Sequence, residues 1–174
     1  MNLIIIDNFL PYPSVVRTWA LNQKFYTCEE MTNHTGLPNT WPGLRTDTVG
    51  ELDIDYANVV LSRISHIAQT VFGMPSTLSI RSSFQLTRKD DGDSWIHVDN
   101  DVNLAGLLYL TPNAPVSAGT TTYSPPPHVE VDNIGNIFNR LVMYRADTYH
   151  KSSQYFGTDL KDGRLTQVFF IKGE

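Results

Sequence analysis

The chain contains one cysteine, Cys28. A single thiol excludes an internal disulfide and a cysteine-rich zinc site, so stability rests on packing. Long apolar runs are missing too, and nothing approaches the roughly 20 residues of a membrane-crossing helix. Leu-Ile-Ile-Ile at 3–6 has no basic flank and reads as a first strand, not a secretory leader. Positive charge is sparse. Thirteen Lys and Arg stand against 18 Asp and Glu, for a net charge of −5. They are scattered along the chain, which argues against a nucleic-acid surface. Repeats, low-complexity tracts and linkers are absent as well. The 174 residues therefore read as a single domain, 1–174, and 41% hydrophobic content is enough for one core. Together these features point to a reducing cytoplasm and to no membrane partner.

What is present divides into a helical first part and a β-rich second part. Pro13 and Ser14 open a helix through about Gln23, with Val15, Val16, Trp19 and Ala20 on one stripe. Residues 27–48 are rich in Thr, Asn, Gly and Pro, show no period, and read as a long loop of the kind that carries binding residues. Asp55 to Phe72 is the strongest helix: Val60, Ile64, Ile67, Ala68 and Val71 keep helical spacing, and Gly73 suits its C-terminal cap. From Thr77 to about 172 the runs "TLSIRSSFQLT", "SWIHVD", "NLAGLLYLT", "GTTTYS", "NRLVMYRA" and "RLTQVFFIK" read as short strands separated by turn signals. Asp162-Gly163 reads as a two-residue hairpin turn leading into the last strand. The expected architecture is α+β, with antiparallel strands closed as a barrel or jelly roll.

His97 and Asp99 stand at i and i+2. On a strand they share a face, about 6.6–6.8 Å apart at Cα, and two such donors can converge on one ion. A His-x-Asp pair alone describes a polar strand face equally well. A metal site needs a third donor from a neighbouring strand. His150 closes an apolar run 53 positions later, far enough for several strands to intervene. Two imidazoles and a carboxylate on one face of an octahedron leave three positions open, the arrangement of non-haem Fe(II) oxygenases. His128 and Glu130 form a rival pair, but only 20 positions separate Glu130 from His150, which leaves little room for a barrel to close. His34 and His66 read as ordinary polar residues.

The order His97-x-Asp99, Tyr109 in "GLLYLT", Gly119-Thr120, a strand ending in His150, and Arg164 on a last strand resembles the Fe(II)- and 2-oxoglutarate-dependent dioxygenases. The similarity is to the prolyl-hydroxylase-like branch and its small stand-alone members, and it covers roughly residues 80 to 172. "IIIDNFLPYPSVVRTWAL" and "WPGLRT" are similar to small members as well. The resemblance implies a double-stranded β-helix with the N-terminal helices packed on one sheet, and iron held by His97, Asp99 and His150. It implies 2-oxoglutarate as cosubstrate and O2 as oxidant. The cosubstrate's far carboxylate then needs a fixed cation. Arg164 offers a planar fork that a lysine cannot reproduce, with Thr166 and Tyr109 as hydroxyl donors beside it. The family often has Gly-Gly where this chain has Ala118-Gly119. Its tyrosine on the strand before the metal pair is missing, and Gln85 stands in that region.

The implied reaction is hydroxylation of a C–H bond in a peptidyl, for example prolyl, or small-molecule substrate, with release of succinate and CO2. Trp41 and Arg45 in the long loop are the expected substrate contacts: an amphipathic surface, and a cation for an anionic or carbonyl group. Two other classes compete: a non-catalytic β-helix binding module, and a cupin-like metalloenzyme that needs no 2-oxoglutarate. Arg164 discriminates, because only the first reading requires a cation buried near the metal.

Overall fold

The computed structural model describes all of residues 1–174. In chain order the elements are β1 (Leu3–Ile6), α1 (Pro13–Leu21), β2 (Tyr26–Thr27), α2 (Cys28–Thr35), β3 (Leu44–Thr48), α3 (Val49–Leu52) and α4 (Ile54–Phe72). There follow β4 (Leu78–Thr87), β5 (Leu104–Tyr109), β6 (Thr120–Tyr123), β7 (Glu130–Ile134), β8 (Leu141–Arg145), β9 (Tyr149–Ser152) and β10 (Arg164–Gly173). Seven strands form a major sheet in the order β1-β8-β5-β10-β4-β3-β2, and three form a minor sheet, β7-β6-β9. All named pairs are antiparallel.

Period-two alternation divides the labour of the major sheet. On β10, Leu165, Phe169 and Ile171 join Phe84, Leu86, Leu108 and Met143 against the helices. Arg164, Thr166, Val168 and Phe170 alternate with them and line the cavity between the sheets. The helix side is a core of 19 buried residues, with Ala57, Val60, Ile64, Ala68 and Phe72 supplied by α4. Asp53 caps α4 by accepting from the Tyr56 N–H at 2.9 Å, worth about 1 kcal/mol. Gly73 closes the helix at φ 69°, the left-handed position that favours glycine. Two of the expected stripe residues lie off the buried face: Val15 and Val71 are exposed.

Four expectations are corrected. The segment 27–48 is not a loop but β2, α2 and β3 with a short connection. A capping box of Thr27 and Glu30 starts α2, Gly36 ends it at φ 71°, and β3 pairs with β4. Residues 94–99 do not form a strand. Only His97 bridges, to His150, with N–H···O distances of 3.0 and 2.9 Å. Asp162-Gly163 is not a hairpin turn. β10 pairs with β4 and β5, so 153–163 cross from one sheet to the other. The Asp162 carboxylate instead accepts from the Thr158 and Asp159 N–H groups and builds a local turn. Finally, β7 lies outside the expected strands, because its solvated face leaves it mostly exposed and without an apolar pattern.

Gly119 sets how closely the start of β6 approaches the end of β7 within the minor sheet. A Cβ there would lie 1.7 Å from the Ile134 carbonyl oxygen and 2.9 Å from the Asn136 nitrogen, both backbone atoms. Gly119→Ala therefore forces backbone movement and is expected to cost at least about 1–3 kcal/mol, read as a lowered midpoint in urea unfolding. Ala118 beside it is fully buried with its methyl accommodated, so a single glycine suffices here.

Candidate metal centre

The crossover between β4 and β5 is laid against the minor sheet by backbone hydrogen bonds. His97 exchanges two with His150, and the Asp99 N–H donates to the Ala146 carbonyl at 2.9 Å. This pinning brings His97, Asp99 and His150 together, with one donor atom from each all within 4.8 Å of one another. His150 Nε2 stands 3.5 Å from Asp99 Oδ2, and the two imidazole centroids are 4.4 Å apart.

The ring orientations follow from a repeated local device. His97 Nδ1 lies 2.9 Å from the Trp95 carbonyl oxygen, and His150 Nδ1 lies 2.9 Å from that of Thr148. A carbonyl only accepts, so each Nδ1 carries the proton and each Nε2 keeps its lone pair. Outer-shell bonds of this kind set the tautomer that a metal ligand needs. Burial lowers the His150 pKa, partly opposed by Asp99, which favours the neutral, ligating imidazole. Two Nε2 lone pairs and one carboxylate fit a first-row divalent ion, and the cavity beside them provides room for further ligands.

That cavity, about 410 Å³, contains the three donors together with Arg164 and Thr166. Arg164 is buried. Its Nε donates to the Ala118 carbonyl and its Nη2 to that of Gly119, each at 3.1 Å. No carboxylate pairs with it; the ion pairs of the molecule involve other residues. A buried cation without a counter-charge costs several kcal/mol, so this guanidinium fits an anionic ligand. Directly opposite Arg164 across the β4–β10 pair, Thr87 holds a buried hydroxyl with no hydrogen-bond partner. Tyr109 stands beside Arg164 on the same face of β5 as Ala105 and Leu107. It is fully buried, its ring lies 5.4 Å from the Arg164 guanidinium, and its hydroxyl bonds Thr120 Oγ1 at 2.8 Å. Thr120 lines the cavity. Burial raises the Tyr109 pKa and keeps the hydroxyl protonated.

Trp41 and Arg45 both line this cavity and the groove that continues from it, of about 490 Å³. Arg45 on β3 lies opposite Gln85 on β4, and its guanidinium sits 5.0 Å from the Trp41 ring. The rival pair does not converge. His128 packs on Tyr149 with centroids 4.7 Å apart, while Glu130 is exposed on β7. His34 pairs with Asp47 at 3.2 Å, and His66 is exposed. Among the cavity residues that sequence reasoning missed is Tyr144 on β8, buried, with its ring centroid 4.6 Å from that of His150. "LVMYR" is apolar up to its last residue, so its inward face carries no signal in the pattern.

No protein-family model matches the chain, and no curated protein sequence does. Solved structures do. A prolyl hydroxylase from Trichoplax adhaerens, solved with a peptide of hypoxia-inducible factor, aligns with TM-score 0.61 and 17% identity over 99% of this chain and 84% of its own. A prolyl-4-hydroxylase from Pseudomonas putida aligns with TM-score 0.58 and 18% identity over 99% and 93%. HygX from Streptomyces hygroscopicus, solved with nickel and 2-oxoglutarate, gives 0.67 and 11% over 99% and 83%. The fold is thus the double-stranded β-helix of the 2-oxoglutarate and Fe(II) oxygenases, as the α+β expectation had it. No helix is long and apolar enough to cross a membrane.

Proposed function

We propose that the chain is a single-domain Fe(II)- and 2-oxoglutarate-dependent oxygenase that hydroxylates a C–H bond of a peptidyl or small-molecule substrate. One observation carries this reading: a buried, unpaired Arg164 shares a cavity with His97, Asp99 and His150. Neither a cupin-like metalloenzyme nor a simple binding module requires a buried cation beside the metal donors.

His97, Asp99 and His150 would hold the iron, and Arg164 with Thr166 would hold the far carboxylate of 2-oxoglutarate. When bound, iron, 2-oxoglutarate and O2 together supply the oxidation: the keto acid becomes succinate and CO2, and one oxygen atom enters the substrate. The chain's own part is positioning. The Trp95 and Thr148 carbonyls hold the two imidazoles in the ligating tautomer. The Ala118 and Gly119 carbonyls aim the Arg164 fork. Val168, Leu107 and Tyr144 wall the cavity and limit water. Trp41 and Arg45, at the junction of cavity and groove, would contact the substrate. A reducing cytoplasm, where ferrous iron persists, suits this chemistry.

The test is spectroscopic. Anaerobic Fe(II) and 2-oxoglutarate should produce a weak visible charge-transfer band with the intact protein, and His97→Ala should lose it. Absence of the band in the intact protein would count for the cupin-like or non-catalytic alternatives.

A further inference from the structure

A second cation sits in the cavity with no carboxylate in ion-pair contact. Arg45 projects from β3 into the space between the sheets. Its Nε and Nη2 both donate to one neutral acceptor, Gln85 Oε1, at 3.3 and 2.9 Å. Gln85 is itself held, since its Nε2 donates to the Pro42 carbonyl at 3.1 Å. The guanidinium lies 5.0 Å from the Trp41 ring and 5.6 Å from the Phe170 ring. It is therefore aimed and stacked, and three of its five N–H groups have no acceptor in the protein. No carboxylate lies within ion-pair distance of it. Burial lowers its pKa to about 10, with Asp99 acting in the opposite sense, so it is charged at neutral pH.

We infer that the substrate carries a carboxylate, received end-on by the free edge of Arg45, and that this contact selects the substrate. The inference rests on the oxygenase reading above and adds a chemical class to it. Side-on bonding to Gln85 occupies one edge of the guanidinium and leaves the fork of its two terminal nitrogens open, the geometry that matches a carboxylate. A carbonyl oxygen would satisfy hydrogen bonds but leave the charge of this part-buried guanidinium without an ion-pair partner. The cosubstrate does not account for it. Its far carboxylate belongs to Arg164, whose Cα is two strands and two residues away, roughly 12 Å by sheet spacings. Arg45 and Asp99 both line the cavity and the adjoining groove, so a ligand entering from the groove meets Arg45 beside the metal donors.

The carboxylate could come from a free amino acid or from an acidic side chain of a peptide, and one experiment separates the two. The chain is loaded with Mn(II) and N-oxalylglycine, which fills the Arg164 position. Binding of each free amino acid is then compared by calorimetry with that of its primary amide, and acidic pentapeptides with their Gln and Asn counterparts. At least one acid should bind ten-fold or more tighter than its neutral partner. The winning set identifies the source. Arg45→Gln should shrink that preference below two-fold while N-oxalylglycine affinity stays within two-fold, which also shows that the variant is folded. Arg45→Lys, keeping charge without the fork, should retain part of the preference. Acids and amides binding alike, or a preference that survives Arg45→Gln, would overturn the inference. So would a ten-fold loss of N-oxalylglycine affinity in Arg45→Gln, which would make Arg45 a cosubstrate residue. Failure of the native protein to bind N-oxalylglycine would instead sink the oxygenase reading. The same acid and amide pairs are then compared on the metal-free chain, where Arg45 keeps its place. A preference for the acid there, lost in Arg45→Gln, supports the carboxylate contact by itself, and equal binding overturns it.

Discussion

Replacing His150 with alanine is expected to abolish turnover and to weaken divalent-metal binding by more than about 100-fold, because loss of an outer-shell partner alone costs 10- to 100-fold. The structure explains why the loss is so large. His150 supplies a neutral Nε2 whose orientation is set by the Thr148 carbonyl, 3.5 Å from the Asp99 carboxylate. With it gone, His97 and Asp99 remain as two donors, too few to outcompete water for Fe(II). The backbone link between 97 and 150 runs through N–H and C=O groups and survives the substitution. Circular dichroism should therefore be unchanged while a Mn(II) titration followed by electron paramagnetic resonance shows free metal. Full metal affinity in His150→Ala would remove this residue from the ligand set.

Arg164→Lys is expected to separate cosubstrate binding from metal binding. The guanidinium already spends two N–H groups on the Ala118 and Gly119 carbonyls, and the rest are free for the proposed anion. An ammonium cannot satisfy two carbonyls and a bidentate carboxylate in that geometry. Losing a charge-assisted hydrogen bond here costs about 1.5–3 kcal/mol, so 2-oxoglutarate should bind roughly 10- to 150-fold more weakly. Metal affinity should change little, since Arg164 is not a donor. The checks are a 2-oxoglutarate titration of the anaerobic Fe(II) band and the Mn(II) titration above. Unchanged cosubstrate affinity would overturn the role assigned to Arg164.

Much of the architecture is legible in the sequence because alternation and spacing are local properties. β4, β5, β8 and β10 fall on the expected runs, and α4 begins and ends within a residue of its expected bounds. Failures occur where local signals are short. α2 has only eight residues and buries only Met31, so its capping box is the sole clue to it. The hairpin reading of Asp162-Gly163 fails because turn propensity cannot tell a return to the same sheet from a crossing to the other one. Tyr109 stands in an apolar strand, and its place in the chain says nothing about what its hydroxyl meets. Only the tertiary structure shows that it meets Thr120 Oγ1 at 2.8 Å.

By itself the sequence determined which candidate donors exist: His97 and Asp99 two residues apart, an imidazole at 150, and a guanidinium opening the last strand. It also determined which side of each long strand is apolar, since side chains of a strand alternate whatever surrounds them. The tertiary structure alone decided that the three donors meet within 4.8 Å, and that Arg164 and Arg45 stand in the same cavity as those donors with no carboxylate in ion-pair contact. Charge pairing and desolvation depend on distances through space, and those are set by strands that lie far apart in the chain.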